Sequence, residues 1–475
     1  MYLAKGSLEM GNSHSFSSDF MNKAFRFVDD HQFEMLEELK KLCGFRSVAG
    51  DDEGLDKTRD FIQRKMEAVG LHVSKHLVKG GNALIAAEYP GEAPDTILFY
   101  NHYDVVEEGK YENWRTKDPF DARIIDGKIY ARGISDNKGG LLSRVHAIEA
   151  ILSVYGKLPA GVKFLVEGDE ESSSPSMSSF AKTYKEVFRS MTKADVCVWE
   201  NGRKDESGHP WARFGVRGSC AFDVCVRTAK TDTHSRMGAT IPSASWRLVW
   251  ALASLKDVDE KILIDGFYDQ VIEASSSDLQ VLDEFPYEEQ SQKEKLGIKN
   301  YLLNATGIEL KRRVYLEPSL SICGLESGEV HNGVRGIVPS KAYARISFYL
   351  VADQDPSTIG ELLRKHFDRH GFSDIEVTQV GGSNSPVRTP VDIPFRSRLR
   401  EAAEKVYEMP LVTELTQLGS GPAIVIRDAW PQMPIIGFGP GNTNGNHHAP
   451  DENLNVVDYF QAIKYVIALF FSYME

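Results

Sequence analysis

Three stretches of this sequence carry residues able to do acid–base or metal chemistry. The first is Asn101-His102-Tyr103-Asp104, which follows the apolar run Ile97-Leu98-Phe99-Tyr100. Residues two apart on an extended segment face the same way. Asp104 can therefore stand behind His102 and hold its ring, as carboxylates do for metal-bound imidazoles. Alone, a His-x-Asp pair at a strand end reads equally well as a polar surface turn. The second stretch is Ala131-Arg132-Gly133-Ile134-Ser135-Asp136-Asn137-Lys138-Gly139-Gly140, and the third is Glu167-Gly168-Asp169-Glu170-Glu171. Adjacent glutamates are costly to bury as like charges unless a cation or proton intervenes. One could bind metal while the other works as a base; the plain alternative is a solvated acidic turn. His102, Asp136, Glu170, Glu171, Glu200 and His448 all lie at strand ends or in loops containing Gly or Pro. Mixed imidazole and carboxylate ligation suits Zn²⁺, and Mn²⁺ or Co²⁺ nearly as well.

Alternating strands and helices must position these groups. Apolar residues at helical spacing predict a helix over Asn22–Cys43 and another over Leu55–Val69, with Gly70 as its stop. Strands are expected at Ala83–Glu88, Thr96–Tyr100, Val162–Glu167 and Ala194–Glu200, with a helix over Leu141–Tyr155. This is an α/β pattern: a mixed, mainly parallel sheet flanked by helices. A second pattern starts near Val216, with period-two alternation at Ala221–Arg227 and Lys341–Leu350 and helices over Ser243–Leu255 and Pro356–His370. It predicts an inserted α+β domain. The expected boundaries are 1–215 and 379–475 for a discontinuous metal-binding domain and 216–378 for the insert, with Gly381–Pro386 as the return hinge. A helix over Val457–Tyr473 closes the chain.

The 475 residues allow two or three domains with a large core. The net charge of −13, with no basic block, argues against nucleic acid or an anionic membrane as partner. No run approaches the ~18 apolar residues of a spanning helix. Five scattered cysteines without a Cys-x-x-Cys pair read as buried free thiols in a reducing compartment. A cytoplasmic protein is the expectation, with residues 1–20 as a poorly ordered leader. His209, His366 and His370 read as surface histidines.

Taken together the motifs resemble a known family. His102-Tyr103-Asp104, Asp118-Pro119-Phe120, Asp126-Gly127-Lys128-Ile129-Tyr130, Asp136-Asn137-Lys138-Gly139, Glu170-Glu171 and His448-Ala449-Pro450-Asp451-Glu452 look like those of the co-catalytic metallopeptidases. That family spans carnosinases, bacterial dipeptidases, aminoacylases, and acetylornithine and succinyl-diaminopimelate deacylases. Within the insert, Lys261–Asp269 and Glu317–Ile322 look more like the carnosinase and dipeptidase branch.

The resemblance implies two divalent metal ions per subunit, with zinc favoured. His102, Asp136 and Glu200 would hold one ion, and Asp136, Glu171 and His448 the other, with Asp136 bridging. Between His447 and His448, the second directly precedes Ala449-Pro450, where the family places its ligand. Asp104 would orient His102, Glu170 would be the general base, and a cis Asp136–Asn137 peptide is implied. A water held between two cations becomes hydroxide near neutral pH, and Glu170 would pass its proton to the departing amine. His234 would add a donor to the oxyanion from the other subunit of a homodimer built through the insert, a lid and dimerisation domain. Ser420, in Gly419-Ser420-Gly421-Pro422, resembles a substrate-facing loop and reads equally well as a plain turn.

Some positions depart from the family pattern. Asn101 stands where Gly often precedes the first His, and Ser172-Ser173-Ser174-Pro175 follows the glutamate pair. Tyr349 occupies the place of an Arg that grips a substrate carboxylate in carnosinase-like members, and Gly336 that of a Thr. Arg335 and Arg345 are the candidates to replace the Arg. The leading expectation is a dipeptidase acting on small peptides. The alternatives are an N-acyl amino acid amidohydrolase and a non-catalytic binding protein on the same fold.

Overall fold

Three helices open the first unit: α1 (Gly6–Asp30), α2 (Gln32–Cys43) and α3 (Asp52–Val69). In the computed structural model, which describes residues 6–329 and 335–474, the single helix expected from Asn22 is divided at His31. That ring bonds through Nδ1 to the Phe27 carbonyl at 2.8 Å. Within the expected leader, α1 begins at Gly6, and the buried Ser17 hydroxyl donates to the Phe471 carbonyl at 3.2 Å. Residues 1–5 lie outside the described residues. Asp51 caps α3 by accepting from Gly54 N at 2.9 Å. Gly70, at φ +98°, ends it in the left-handed conformation that glycine adopts without a Cβ penalty.

Strands β1 (His72–His76), β2 (Leu84–Tyr89) and β3 (Thr96–His102) follow, then α4 (Gly139–Tyr155), β4 (Gly161–Glu167), β5 (Val196–Trp199) and β6 (Trp211–Arg213). The chain next enters a second unit, Val216–Arg388 with Thr416–Ile424. It holds β7 (Gly215–Arg227), α5 (Ala244–Ala253), β8 (Ser319–Ser327), β9 (Lys341–Leu350), α6 (Pro356–Arg369) and β10 (Glu376–Asn384). Further along the chain come α7 (Pro394–Tyr407), β11 (Val412–Glu414), β12 (Gln417–Ser420), β13 (Ile435–Gly437) and α8 (Val456–Phe471).

The first unit is built on an eight-stranded sheet of order β1-β2-β4-β3-β5-β13-β6-β11. The pairs β3–β4, β3–β5, β5–β13 and β6–β11 are parallel, while β1–β2, β2–β4 and β6–β13 are antiparallel. The mixed, mainly parallel sheet is the one its sequence implies. Val, Ile, Leu and Phe run continuously through β3, β4 and β5, as strands covered on both faces require. α4 lies at the centre, packed on β3, α1 and α8, and nearly all of its side chains are buried. β1 carried no sequence signal, since His72-Val73-Ser74-Lys75-His76 is an edge strand with no buried side chain.

In the second unit the path β8-β9-β7-β10 is antiparallel throughout. One face of β9 (Ala342, Ala344, Ile346, Phe348, Leu350) meets Phe222 and Val224 of β7, Leu248 of α5 and Leu363 of α6 in one apolar core. Gly381–Asn384, read as a hinge, belongs to β10 instead, and this unit continues to Arg388. His366 is a second correction: it is buried, 3.1 Å from the Ser254 hydroxyl and stacked on His370. Its place on the inner face of α6 outweighs its polarity.

The register yields a test. Phe348→Ala empties a fully buried site and should destabilise by about 3–5 kcal/mol in denaturant unfolding, whereas exposed Lys341→Ala on the same strand should stay within about 0.5 kcal/mol.

Candidate metal centre

The parallel strands end together, and their C-terminal ends carry the chemistry, the usual place for ligands in α/β sheets. His102 is the last residue of β3, Glu170 and Glu171 form a single helical turn after β4, and Glu200 follows β5. Asp136 sits in the turn Ile134–Lys138 leading into α4, and its peptide bond to Asn137 is cis. His448 lies in the loop after β13 at φ +59°.

These side chains converge. Donor atoms of His102, Asp136 and Glu171 lie within 4.8 Å of one another, and so do those of His102, Glu170 and Glu200. His102 Nε2 is 3.1 Å from Asp136 Oδ1 and 3.4 Å from Glu200 Oε2. His448 Nε2 is 3.4 Å from Asp136 Oδ2 and 3.2 Å from Glu171 Oε2. His447 approaches Asp136 only to 3.8 Å and is held by the Ser135 hydroxyl at 2.8 Å. The ring of His102 is fixed from behind by Asp104, whose carbonyl oxygen lies 3.1 Å and Oδ1 3.4 Å from Nδ1. Asp104 Oδ2 also accepts from Glu171 N at 3.0 Å, tying the two ligand loops together.

The electrostatics are those of a cluster short of positive charge. Burial, and after it opposition from His102 and repulsion by Glu171, leaves Glu170 pushed up to about 8. Burial and the neighbouring Glu170 raise Glu200 well above the carboxylate range. Asp136 goes the other way: despite burial, its bonds to His102 and His448 hold it well below that range. His448, bonded to Asp136 and Glu171, is pushed up to about 10. These shifts are those of acceptors crowded without enough positive charge among them. Glu171 Oε1, Glu200 Oε2 and Asp104 Oδ1 are buried without a hydrogen-bond partner among the described residues. Buried carboxylate oxygens without a donor, facing imidazoles, are the donor set that divalent zinc or manganese accepts. The residues fit a metal.

His234 and Ser420 belong to the second unit. His234 is exposed at the end of the strand Thr233–His234, its Nδ1 accepting from Arg236 N at 3.2 Å. Ser420 ends β12 and accepts from the Ser219 hydroxyl at 2.9 Å. Near Tyr349, Arg345 is committed to a paired fork on Asp223, at 2.7 and 3.0 Å, and Arg335 is paired with Glu329. The cation beside the Tyr349 ring is Arg217, at 5.7 Å, donating to the carbonyls of Val314 and Glu317.

Glu452 is a site residue to which sequence reasoning gave no role. Its carboxylate is 1% exposed and takes four hydrogen bonds. Oε1 accepts from Ser135 N and Asp136 N at 2.9 and 3.0 Å, and Oε2 from Gly133 N and Arg132 Nη1 at 2.9 and 2.8 Å. It clamps the turn that presents Asp136. The signal was its position four residues after His448, in a segment already singled out.

Comparison with known proteins agrees with the geometry. Residues 98–472 match the profile of peptidase family M20/M25/M40. The chain is 26% identical to the Beta-Ala-His dipeptidase of Rattus norvegicus over 95% of each chain. It is 24% identical to the Cys-Gly metallodipeptidase of Schizosaccharomyces pombe, over 96% of this chain and 98% of that one. The crystal structure of an M20 family metallo-carboxypeptidase from Sulfolobus solfataricus superposes with a TM-score of 0.83 at 30% identity, covering 93% of this chain and 99% of that one.

Removing the clamp strands a buried cation, so Glu452→Ala should cost about 3–5 kcal/mol in unfolding experiments. Because the ligands must shed protons to bind a cation, zinc affinity measured by chelator competition should fall as pH is lowered from 8 to about 6.

Proposed function

The chain belongs to peptidase family M20/M25/M40, and from that premise we propose that it is a two-metal dipeptidase cleaving the amide bond of small peptides. The observation that carries the reading is the convergence of His102, Asp136, Glu171, Glu200 and His448 around buried carboxylate oxygens that lack donors. In this reading His102, Asp136 and Glu200 hold one ion and Asp136, Glu171 and His448 the other, zinc being the best fit and manganese or cobalt acceptable. When bound, the cations polarise a scissile carbonyl and acidify a water molecule.

The chain's own groups do the rest. Glu170, whose carboxylate lies beside His102 and Glu200, accepts the proton of the attacking water. It then delivers that proton to the departing amine nitrogen, so one carboxyl serves in both directions. Asp104 holds His102 in one ring orientation. The same reading makes the second unit a lid and dimerisation domain. His234 of each subunit, exposed and at a strand end, would supply the other subunit's oxyanion donor, and Ser420 would face substrate. Free thiols at all five cysteines support a cytoplasmic location, and no described helix is long and apolar enough to cross a membrane.

Tyr349, standing where the resemblance implies an Arg, bears on substrate choice. Arg345 is already held by Asp223 and cannot serve as a free clamp for a substrate carboxylate. A second reading, cleavage of a C-terminal residue from longer peptides, is favoured by the likeness to the metallo-carboxypeptidase.

The test is amine release from metal-stripped protein reloaded with Zn²⁺ or Mn²⁺. It is offered dipeptides, longer peptides and N-acyl amino acids. Metal-dependent cleavage of dipeptides is expected. Turnover of N-acyl amino acids alone would move the chain to the amidohydrolases, and metal binding without turnover would make it a binding protein. Glu170→Gln should retain metal and lose about 10²–10⁴ in kcat. His234→Ala should lose about 10²–10³, with dimer mass unchanged in light scattering.

A further inference from the structure

Arg144 occupies the interior of α4 among Leu141, Leu142, Val145 and Ile148 and is 1% exposed. A buried guanidinium keeps its charge and must find acceptors. It finds them where the parallel strands end. One nitrogen, Nη1, donates to the Tyr100 carbonyl at 2.8 Å in β3. The other, Nη2, donates to the carbonyls of Trp199 and Glu200 at 2.7 and 2.8 Å, at the end of β5, and to Phe438 at 3.1 Å, just past β13. Its plane also lies over the Phe99 ring, 5.1 Å from the centroid. One side chain thus gathers the ends of three strands, two of which deliver His102 and Glu200.

A further bond starts a chain. Arg144 Nη1 donates to Asn101 Oδ1 at 2.8 Å. Asn101 Nδ2 donates to Asn137 Oδ1. Asn137 Nδ2 donates to Asn201 Oδ1 at 2.7 Å, and Asn201 Nδ2 donates to Asp136 Oδ1 at 2.7 Å. All three amides are buried. A guanidinium can only donate and a carboxylate can only accept. With those groups at the two ends, the three amides between them have a single self-consistent direction, and bonds so aligned polarise one another. Asn101 is the residue that stands where Gly often precedes the first His, so this departure has a physical use.

We propose that Arg144, Asn101, Asn137 and Asn201 form a positioning relay for the metal centre, fixing the orientation of Asp136 and the strand ends that carry His102 and Glu200. None of the four needs to touch substrate. The relay rests on the metal-centre reading above, and it acts on how tightly the centre holds its ions.

Arg144→Lys keeps the charge and loses the fork. Asn101→Ala removes the first link with Arg144 in place, and Asn201→Ala removes the last. Each protein, and the double variant R144K/N201A, is stripped of metal and titrated with Zn²⁺ against a chromophoric chelator. Zinc content and the thermal unfolding of the metal-free forms are measured alongside. R144K and N101A should each weaken zinc binding about 10–100-fold. The double variant should be within about twofold of the weaker single one, because both changes break the same chain. A lowered unfolding temperature with zinc affinity unchanged would make Arg144 merely structural and overturn the relay; additive losses in the double variant would do the same. Should R144K fail to fold, N101A decides by the same affinity. Wild-type protein that takes up no zinc overturns the metal-centre reading itself, a failure seen before any variant is compared.

Discussion

Crowding of negative charge is the constraint from which the rest of this structure follows. Asp104, Asp136, Glu170, Glu171 and Glu200 crowd around the buried imidazole of His102 and the partly exposed one of His448, and several of their oxygens are buried without donors. Water cannot screen groups so enclosed, and one buried histidine cannot neutralise them. Without cations the cluster must take up protons, which is what the raised Glu170, Glu200 and His448 express. The fold tolerates this because nothing in the cluster stands alone. Each carboxylate sits at the end of a strand or in a turn fixed by buried hydrogen bonds.

The support comes from charges of a different kind. Arg144 solvates strand-end carbonyls, and Glu452 solvates backbone N–H groups of the Asp136 turn. One is a cation among acceptors and the other an anion among donors. Both replace water in places where the sheet leaves backbone groups unpaired. The turn and strand ends that carry these side chains are therefore held by backbone capture.

How much of this was legible in the sequence depended on range. The apolar runs of β3, β4 and β5 and the alternation of β9 are local patterns, so strand identity and fold class could be read directly. His102, Asp136, Glu171 and Glu200 could be picked out as candidates because they sit at strand ends or in motif turns with distinctive neighbours. Glu452 and the Asn101–Asn137–Asn201 chain could not, because a hydrogen bond between residues tens or hundreds apart leaves no periodicity. Arg144 did leave a trace, as an Arg on the buried side of an otherwise apolar helix. β1 and the break at His31 were missed because edge strands and helix bends depend on what packs against them. The supposed hinge at Gly381–Pro386 failed for a related reason: glycines tolerated in an edge strand look the same as glycines in a linker.

Glu452 also sets an order of events. It joins residues 132–136 to the loop that bears His448, more than three hundred positions further along the chain. A ribosome must pass more than three hundred positions beyond Asp136 before it reaches the clamp residue. Until then the Asp136 turn lacks the carboxylate that takes its donors, and His448 has been made only four positions earlier. The brace on the Asp136 turn is thus made only once residue 452 has been added. A product truncated before residue 448 would contain the sheet and Glu170 and lack both His448 and this brace.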